Sequence, residues 1–320
     1  MLISKENKVY KGTYFIEFAA DYIDVLKDIH IVEGDRELWF RGHNNEAWVL
    51  RPNIMRKFSH IEDAFGNPIN PKNPGFRAGS TTIAFPDFRK QLPEIRDLAE
   101  KSGYSADNDL ELLAFGQHYG LQTPLIDWSE DPMVGLFFAL DGLDMPKVEY
   151  NEIDGYRNYT DRVKRFIRNG DIDSAASILI MDPAKANMYS RFLREQIFTS
   201  KSFSEDALAD LMSDGNYTWV CVKTPKVGYR ISRQSGNFLW QGKNYQLLAD
   251  QNYYTHEFMY KIYIPYEKCK GIQAEIAAMR LTRAAIYGEY DEGDEIVGEL
   301  GEQQKEAYHK AMDELARKFE

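Results

Sequence analysis

Cysteine is nearly absent. Cys221 and Cys269 are the only two in 320 residues, too few for a disulfide framework or a four-ligand zinc site. Cys221 lies in the apolar run Thr218-Trp219-Val220-Cys221-Val222, where a thiol packs as a small hydrophobe. No run approaches the roughly 20 apolar residues of a membrane span. The opening Met1-Leu2-Ile3-Ser4-Lys5-Glu6-Asn7-Lys8 lacks the apolar core of a signal peptide. These absences predict a cytoplasmic protein that does not enter a membrane. Basic charge is also short, with 39 Lys and Arg against 50 Asp and Glu and a net charge of −11. That balance argues against nonspecific nucleic-acid or membrane binding, which needs an excess of Lys and Arg. The sequence has no phosphate-cradling Gly-rich loop ending in Lys-Ser/Thr, no His pair at i, i+4 beside a Glu and no Gly-x-Ser-x-Gly elbow. With its six His scattered, the chain does not read as a kinase, a metal hydrolase or a serine hydrolase.

Aromatics are plentiful. There are 20 Tyr and 18 Phe within a 43% hydrophobic composition, so the core and any pocket wall should be rich in rings. Apolar spacing predicts a helix over 15–30, a short strand at 38–40 and helices over 87–101 and 107–119. The second of these is restarted at Pro93. The third is capped by Asp107 or Asn108 and stopped by Gly120. Residues 60–82 carry loop chemistry, and 121–126 read as an extended connector. A buried helix opens at Asp131-Pro132 and runs through Leu140, with Ser129 as a candidate N-cap. Further along, 177–181, 219–223 and 258–264 read as strands, 189–212 as helix in pieces, and 269–280 and 304–319 as helices. With no internal repeat or clear linker, one α+β domain over 1–320 is the economical expectation. Its sheet is predicted to be small, mixed or antiparallel, and flanked by helices. Within it we distinguish a signature half (15–143), an insertion (144–172), a second half (173–300) and a C-terminal helix (301–320).

Charge is unevenly spread. Residues 286–320 hold 11 acidic and four basic side chains, whereas 36–57 hold five basic and two acidic. The acidic tail could dock a basic protein partner or stand as a solvated face. The segment around Arg41 could favour an anion.

Three segments concentrate polar groups in apolar surroundings. In Trp39-Phe40-Arg41-Gly42-His43, an Arg leaving an apolar strand must meet a protein carboxylate or an anionic ligand, because an unpaired buried charge is very costly. Gly42 admits close approach of a backbone or a ligand. In the segment from Gln117-His118-Tyr119 to Thr123-Pro124-Leu125-Ile126-Asp127-Trp128-Ser129, Asp127 is flanked by Ile126 and Trp128. It needs donors if buried. A bidentate pair with Arg41 is the natural partner. In 230–238, Gln234 is a two-way hydrogen bonder just before Gly236-Asn237-Phe238. A strand end with a bulge would explain the same residues.

Together these segments resemble the FRG-domain family, named for the Phe-Arg-Gly seen here as Phe40-Arg41-Gly42. The second signature is similar to His118-Tyr119-Gly120 followed by Thr123-Pro124-Leu125-Ile126-Asp127-Trp128 and the apolar Leu136-Phe137-Phe138-Ala139. The third is similar to Gln234-Ser235-Gly236-Asn237-Phe238. The likeness spans about 15–300 and is strongest through residue 140, with Ile126 and Ser129 where Leu and Thr are more usual. The resemblance implies a prokaryotic or phage-borne protein acting in phage defence or a toxin-like system. A looser similarity to ADP-ribosyltransferases implies NAD as substrate. On that reading Arg41 clamps the pyrophosphate, Tyr119 stacks the nicotinamide, and Gln234 orients the ribose or the nucleophile. Thr123 or His43 helps position the ribose, and Phe40, Gly42, His118, Asp127, Trp128 and Phe238 complete the pocket. The alternative is a non-enzymatic module that recognises a nucleotide or a protein.

Overall fold

The computed structural model describes residues 12–45, 48, 50–54, 60–62, 82–84, 88–118, 120–143, 175–190, 194–212, 219–225, 234–241, 255–288, 306 and 310. In chain order the elements are β1 (Gly12–Phe15), α1 (Ala19–Glu33), β2 (Trp39–His43), β3 (His60–Glu62), β4 (Thr82–Ala84), α2 (Leu92–Lys101), α3 (Asp109–His118), β5 (Leu125–Ser129), α4 (Pro132–Leu140), β6 (Ala175–Met181), α5 (Pro183–Tyr189), β7 (Phe198–Thr199), α6 (Glu205–Met212), β8 (Trp219–Lys223), β9 (Gly236–Gln241), α7 (Thr255–Phe258), β10 (Met259–Pro265), α8 (Tyr266–Ala278) and α9 (Arg283–Tyr287).

Eight strands form one sheet in the order β1-β10-β6-β2-β5-β9-β8-β7, and β3 pairs with β4 apart from it. Only the two outermost pairs of the large sheet, β1 with β10 and β7 with β8, are parallel. The α+β class and the mixed sheet agree with the sequence reading, but the sheet is not small. Its edges are short strands of four and two residues, too brief to show the alternation that marks a strand. Side-chain alternation assigns the core to two faces. Phe40, Ile178, Ile180, Ile262 and Ile264 point to one face and pack with α1, α4 and α8. Leu125, Val220, Val222, Phe238 and Trp240 share that face farther along the sheet and pack with α2 and α3. Trp39, Ile126, Trp128, Leu179, Cys221 and Leu239 fill the opposite face. Each large apolar side chain removed from water stabilises the fold by roughly 1.5–3 kcal/mol.

Several expected boundaries move for identifiable reasons. Phe15 is the end of β1, not the start of a helix, because it pairs with Tyr263 of β10. The helix begins at Ala19: Asp21 Oδ2 accepts the main-chain N–H groups of Glu17 and Phe18, and Glu275 Oε2 accepts that of Ala19. The ends of the expected loop at 60–82 belong to the antiparallel strand pair β3 and β4. A 3-10 turn at Phe88–Gln91 precedes α2, which restarts at Leu92 with Pro93 in its first turn. Asn108 Oδ1 caps α3 by accepting the Glu111 N–H, and Gly120 follows at φ +92°. Asp131, not Ser129, caps α4: its Oδ1 accepts the Met133 N–H at 2.8 Å. Residues 189–212 are only partly helical, because Phe198–Thr199 is recruited as an edge strand beside β8. The insertion at 144–172 lies outside the described residues. So does the tail beyond Gly288, apart from Glu306 and Lys310. Among the described residues, no helix is long and apolar enough to cross a membrane.

Candidate functional site

Neighbouring strands β2 and β5 pair through a single register position, Phe40 opposite Ser129. Beyond it both strands stay in the sheet, β2 through β6 and β5 through β9, but they part from each other. A cavity of about 290 Å³ opens where they part. Its lining joins Phe40 and Phe238, from the two apolar clusters of one face, with Arg41 and Trp128, which the register places on the other, beside the C-terminus of α3 and against α4. Helix α4 lies on β2 almost backbone to backbone. A Cβ added to Gly42 would stand 2.1 Å from Ala139 N and 2.3 Å from Gly135 O. Gly42 therefore admits a helix, and the approach of α4 sets one wall of the cavity.

Arg41 bridges the gap. Its Nη1 donates to the main-chain oxygen of Asp127 at 2.5 Å, and its Nε donates to His43 Nε2 at 3.1 Å. Neither bond is to a carboxylate, and among the described residues no carboxylate comes within ion-pair distance of it. The expected bidentate Arg41–Asp127 pair is thus corrected: Arg41 meets Asp127 through the peptide carbonyl. Burial pulls the guanidinium below its usual value, and the nearby Asp127 charge only partly offsets this. An Arg nonetheless stays charged. The charge is set deep among protein atoms, and its partial exposure is through the cavity.

The Asp127 carboxylate faces the cavity from the other side of the gap. Its Oδ2 accepts from Gln117 Nε2 at 3.0 Å. Gln117, in the last turn of α3, also donates from Nε2 to Leu125 O at 3.4 Å and accepts from the Thr123 hydroxyl through Oε1. Thr123 Oγ1 in turn accepts the Leu125 N–H at 3.2 Å. The amide can face only one way, because a carboxylate and a carbonyl both require donors. Gln117 and Thr123 are buried and Asp127 is exposed. A carboxylate two hydrogen bonds outward from a buried hydroxyl is held in one orientation before any ligand arrives.

Arg41, Gln234, Phe40, Gly42, His118, Asp127, Trp128 and Phe238, all singled out in the sequence, line this one cavity. His43 and Thr123 do not. His43 is buried behind Arg41, its ring edge-on to Trp48, and Thr123 is buried behind Gln117. Tyr119 lies outside the described residues. Ser129 and Gln234 are tied by a bond from Ser129 Oγ to Gln234 O at 2.6 Å, which holds the segment before β9 at the cavity rim. The sequence reading did not single out Gln117, Phe138, Asn237 or Tyr287 as site residues, though they line the cavity too. Gln117 and Asn237 stood inside quoted motifs and could have been chosen as polar residues between apolar ones. Nothing in the sequence brings Tyr287 to the site; the fold does so by packing its ring against Phe137 and Phe138. Asn237 is 1% exposed and donates to Glu130 Oε1 at 2.7 Å, while its Oδ1 accepts no hydrogen bond. Among the described residues, no three His, Cys, Asp or Glu side chains converge as a metal site.

Comparison with known proteins gives one match. The family model described as the FRG domain covers residues 36–147, which include β2, α3, β5 and α4. No curated protein and no solved structure matches the chain.

Proposed function

We propose that the cavity between β2 and β5, whose strands lie in the stretch 36–147 that matches the FRG-domain model, binds a nucleotide of the NAD and ADP-ribose type. The observation that carries the reading is the Arg41 guanidinium, which lines the cavity and has no carboxylate partner among the described residues. Such a charge is costly unless it is compensated, and an anionic ligand compensates it. Phosphate oxygens match the fork of a guanidinium. The aromatic side chains Phe40, Trp128, Phe138, Phe238 and Tyr287 in the wall suit a ligand that also carries flat rings. The volume is close to the lower end of roughly 300–1,000 Å³ for ligand pockets, so it would enclose a phosphoribosyl portion and not a whole dinucleotide.

On this reading Arg41 is the phosphate clamp and Gln234 a ribose contact at the rim. Any NAD-consuming transfer or hydrolysis would rest on positioning and on charge placed near the reacting ribose. Binding without chemistry is the second reading, favoured by the neutral amide that Gln234 brings where a stronger stabiliser of a ribosyl cation would be a carboxylate. Isothermal titration of the full chain with NAD and with ADP-ribose tests the site. Wild type should bind, and Arg41→Ala, shown folded by circular dichroism, should not. No binding to wild type, or equal binding to the variant, rejects the reading. Nicotinamide release during incubation with NAD separates turnover from binding alone. The setting in phage defence or a toxin-like system comes from the family resemblance. Growth of a bacterial host expressing wild type or Arg41→Ala, with and without phage, tests it.

A further inference from the structure

We infer that Asp127 is the hydroxyl-recognising group of the cavity, with Gln117 as its positioning residue, so that the ligand is an anion esterified to a vicinal diol such as a phosphoribose; this rests on the nucleotide reading above. Asp127 sits in a central strand whose same-face neighbours Leu125, Phe238 and Trp240 are apolar core. Unlike those buried neighbours Asp127 is exposed, and it lines the cavity. One of its oxygens accepts from Gln117, and among the described residues no side chain or main-chain group donates to the other, Oδ1. The group is therefore aimed by the protein but not satisfied by it.

An anionic acceptor repels phosphate and attracts paired hydroxyl donors, which it can receive on two oxygens. The same residue supplies both halves of the recognition. Its main-chain oxygen fixes Arg41 at 2.5 Å, and its side chain presents the acceptor. Gln117 touches Asp127 and stands behind it, fixed by Thr123. Its part is to remove the freedom of the carboxylate, as outer hydrogen bonds do for a ligating group.

Titration of the full chain with ADP-ribose and with inorganic pyrophosphate separates the two subsites. Asp127→Asn should weaken ADP-ribose about tenfold, the scale of one charged hydrogen bond, and leave pyrophosphate unchanged or tighter. Gln117→Met, which keeps volume in a buried position, should show the same split with a smaller loss. A merely structural role would lower both probes together. Unchanged ADP-ribose affinity in Asp127→Asn, or equal losses on both probes, overturns this inference while leaving an Arg41-dependent anion site standing. Failure of both probes to bind wild type overturns the nucleotide reading and this inference with it.

Discussion

Arg41 and Asp127 are joined through a guanidinium and a peptide carbonyl, and the Asp127 carboxylate is turned away toward Gln117. The difference from an ion pair has consequences for stability. Breaking a buried ion pair leaves an uncompensated charge and costs about 3–5 kcal/mol. Here no carboxylate among the described residues pairs with Arg41, so removing the charge also removes its desolvation, which offsets the loss of the two hydrogen bonds to the Asp127 carbonyl and His43 Nε2. Arg41→Met should therefore cost less than the roughly 3 kcal/mol of a broken buried ion pair. Urea unfolding measures this, and a loss of ion-pair size would show that a carboxylate does meet Arg41.

Gly42 is required by a helix. A methyl group there meets Ala139 N at 2.1 Å and Gly135 O at 2.3 Å, both backbone atoms that cannot swing aside. At Gly135 the methyl group meets Phe40 Cβ at 2.8 Å, a single side-chain atom. Gly42→Ala should cost more than about 3 kcal/mol, and Gly135→Ala about 1–3 kcal/mol. Urea midpoints of the two variants give the order, and reversal of it would place α4 elsewhere.

How far the sequence revealed this site depends on the kind of contact. Arg41 was legible, because a charge inside an apolar strand has few explanations. Proximity of Asp127 was legible for the same reason. The atom that Arg41 bonds was not, since every residue offers the same carbonyl and sequence does not distinguish them. The cavity itself comes from the parting of β2 and β5 after one pair, a property of two register choices and not of any residue type. The start of β9, Gly236 and Asn237 after a polar segment, fits either a ligand contact or a strand end with a bulge. Strand β9 is an inner strand whose ladder with β5 begins at those residues. Tyr287 reaches the cavity from a helix more than a hundred residues after Asp127, and no local pattern announces that.

Cys221 and Cys269 are both buried, and burial, with Asp182 adding to it, pushes the Cys221 thiol well up. The reactive species is the thiolate. Neither cysteine should react with a thiol reagent at neutral pH in the native protein, and both should react once denaturant is added. Rapid native labelling of either would mean that the core around β8 or α8 opens readily.

Tyr104 stacks on Phe115 with ring centroids 5.4 Å apart. Its phenol is pushed up to about 12, by burial first and by the Glu111 charge and hydrogen bond after it. An unfolded tyrosine titrates near 10. The fold therefore favours the neutral phenol, and the stabilisation is complete below about pH 10 and lost as pH rises through about 12. Between those values wild type should lose stability relative to Tyr104→Phe, which has no proton to release there. Unfolding free energies of the two proteins from pH 9 to 12 check the sign, and parallel curves would contradict it.

Thr123 is the innermost member of the chain that ends on the Asp127 carboxylate. Its hydroxyl donates to Gln117 Oε1 and accepts from the Leu125 N–H, and only 1% of the residue is exposed. Valine has nearly the same shape and neither bond. Thr123→Val leaves a buried acceptor and a buried donor without partners, each worth about 1–3 kcal/mol, while Thr123→Ser keeps both. The valine variant should be destabilised by about 2 kcal/mol or more in urea, and the serine variant much less. The freed Gln117 amide can turn, so the valine variant should also lose affinity for ADP-ribose while keeping that for pyrophosphate. If stability falls and the ratio of the two affinities does not move, Thr123 supports the turn before β5 and has no hold on the carboxylate.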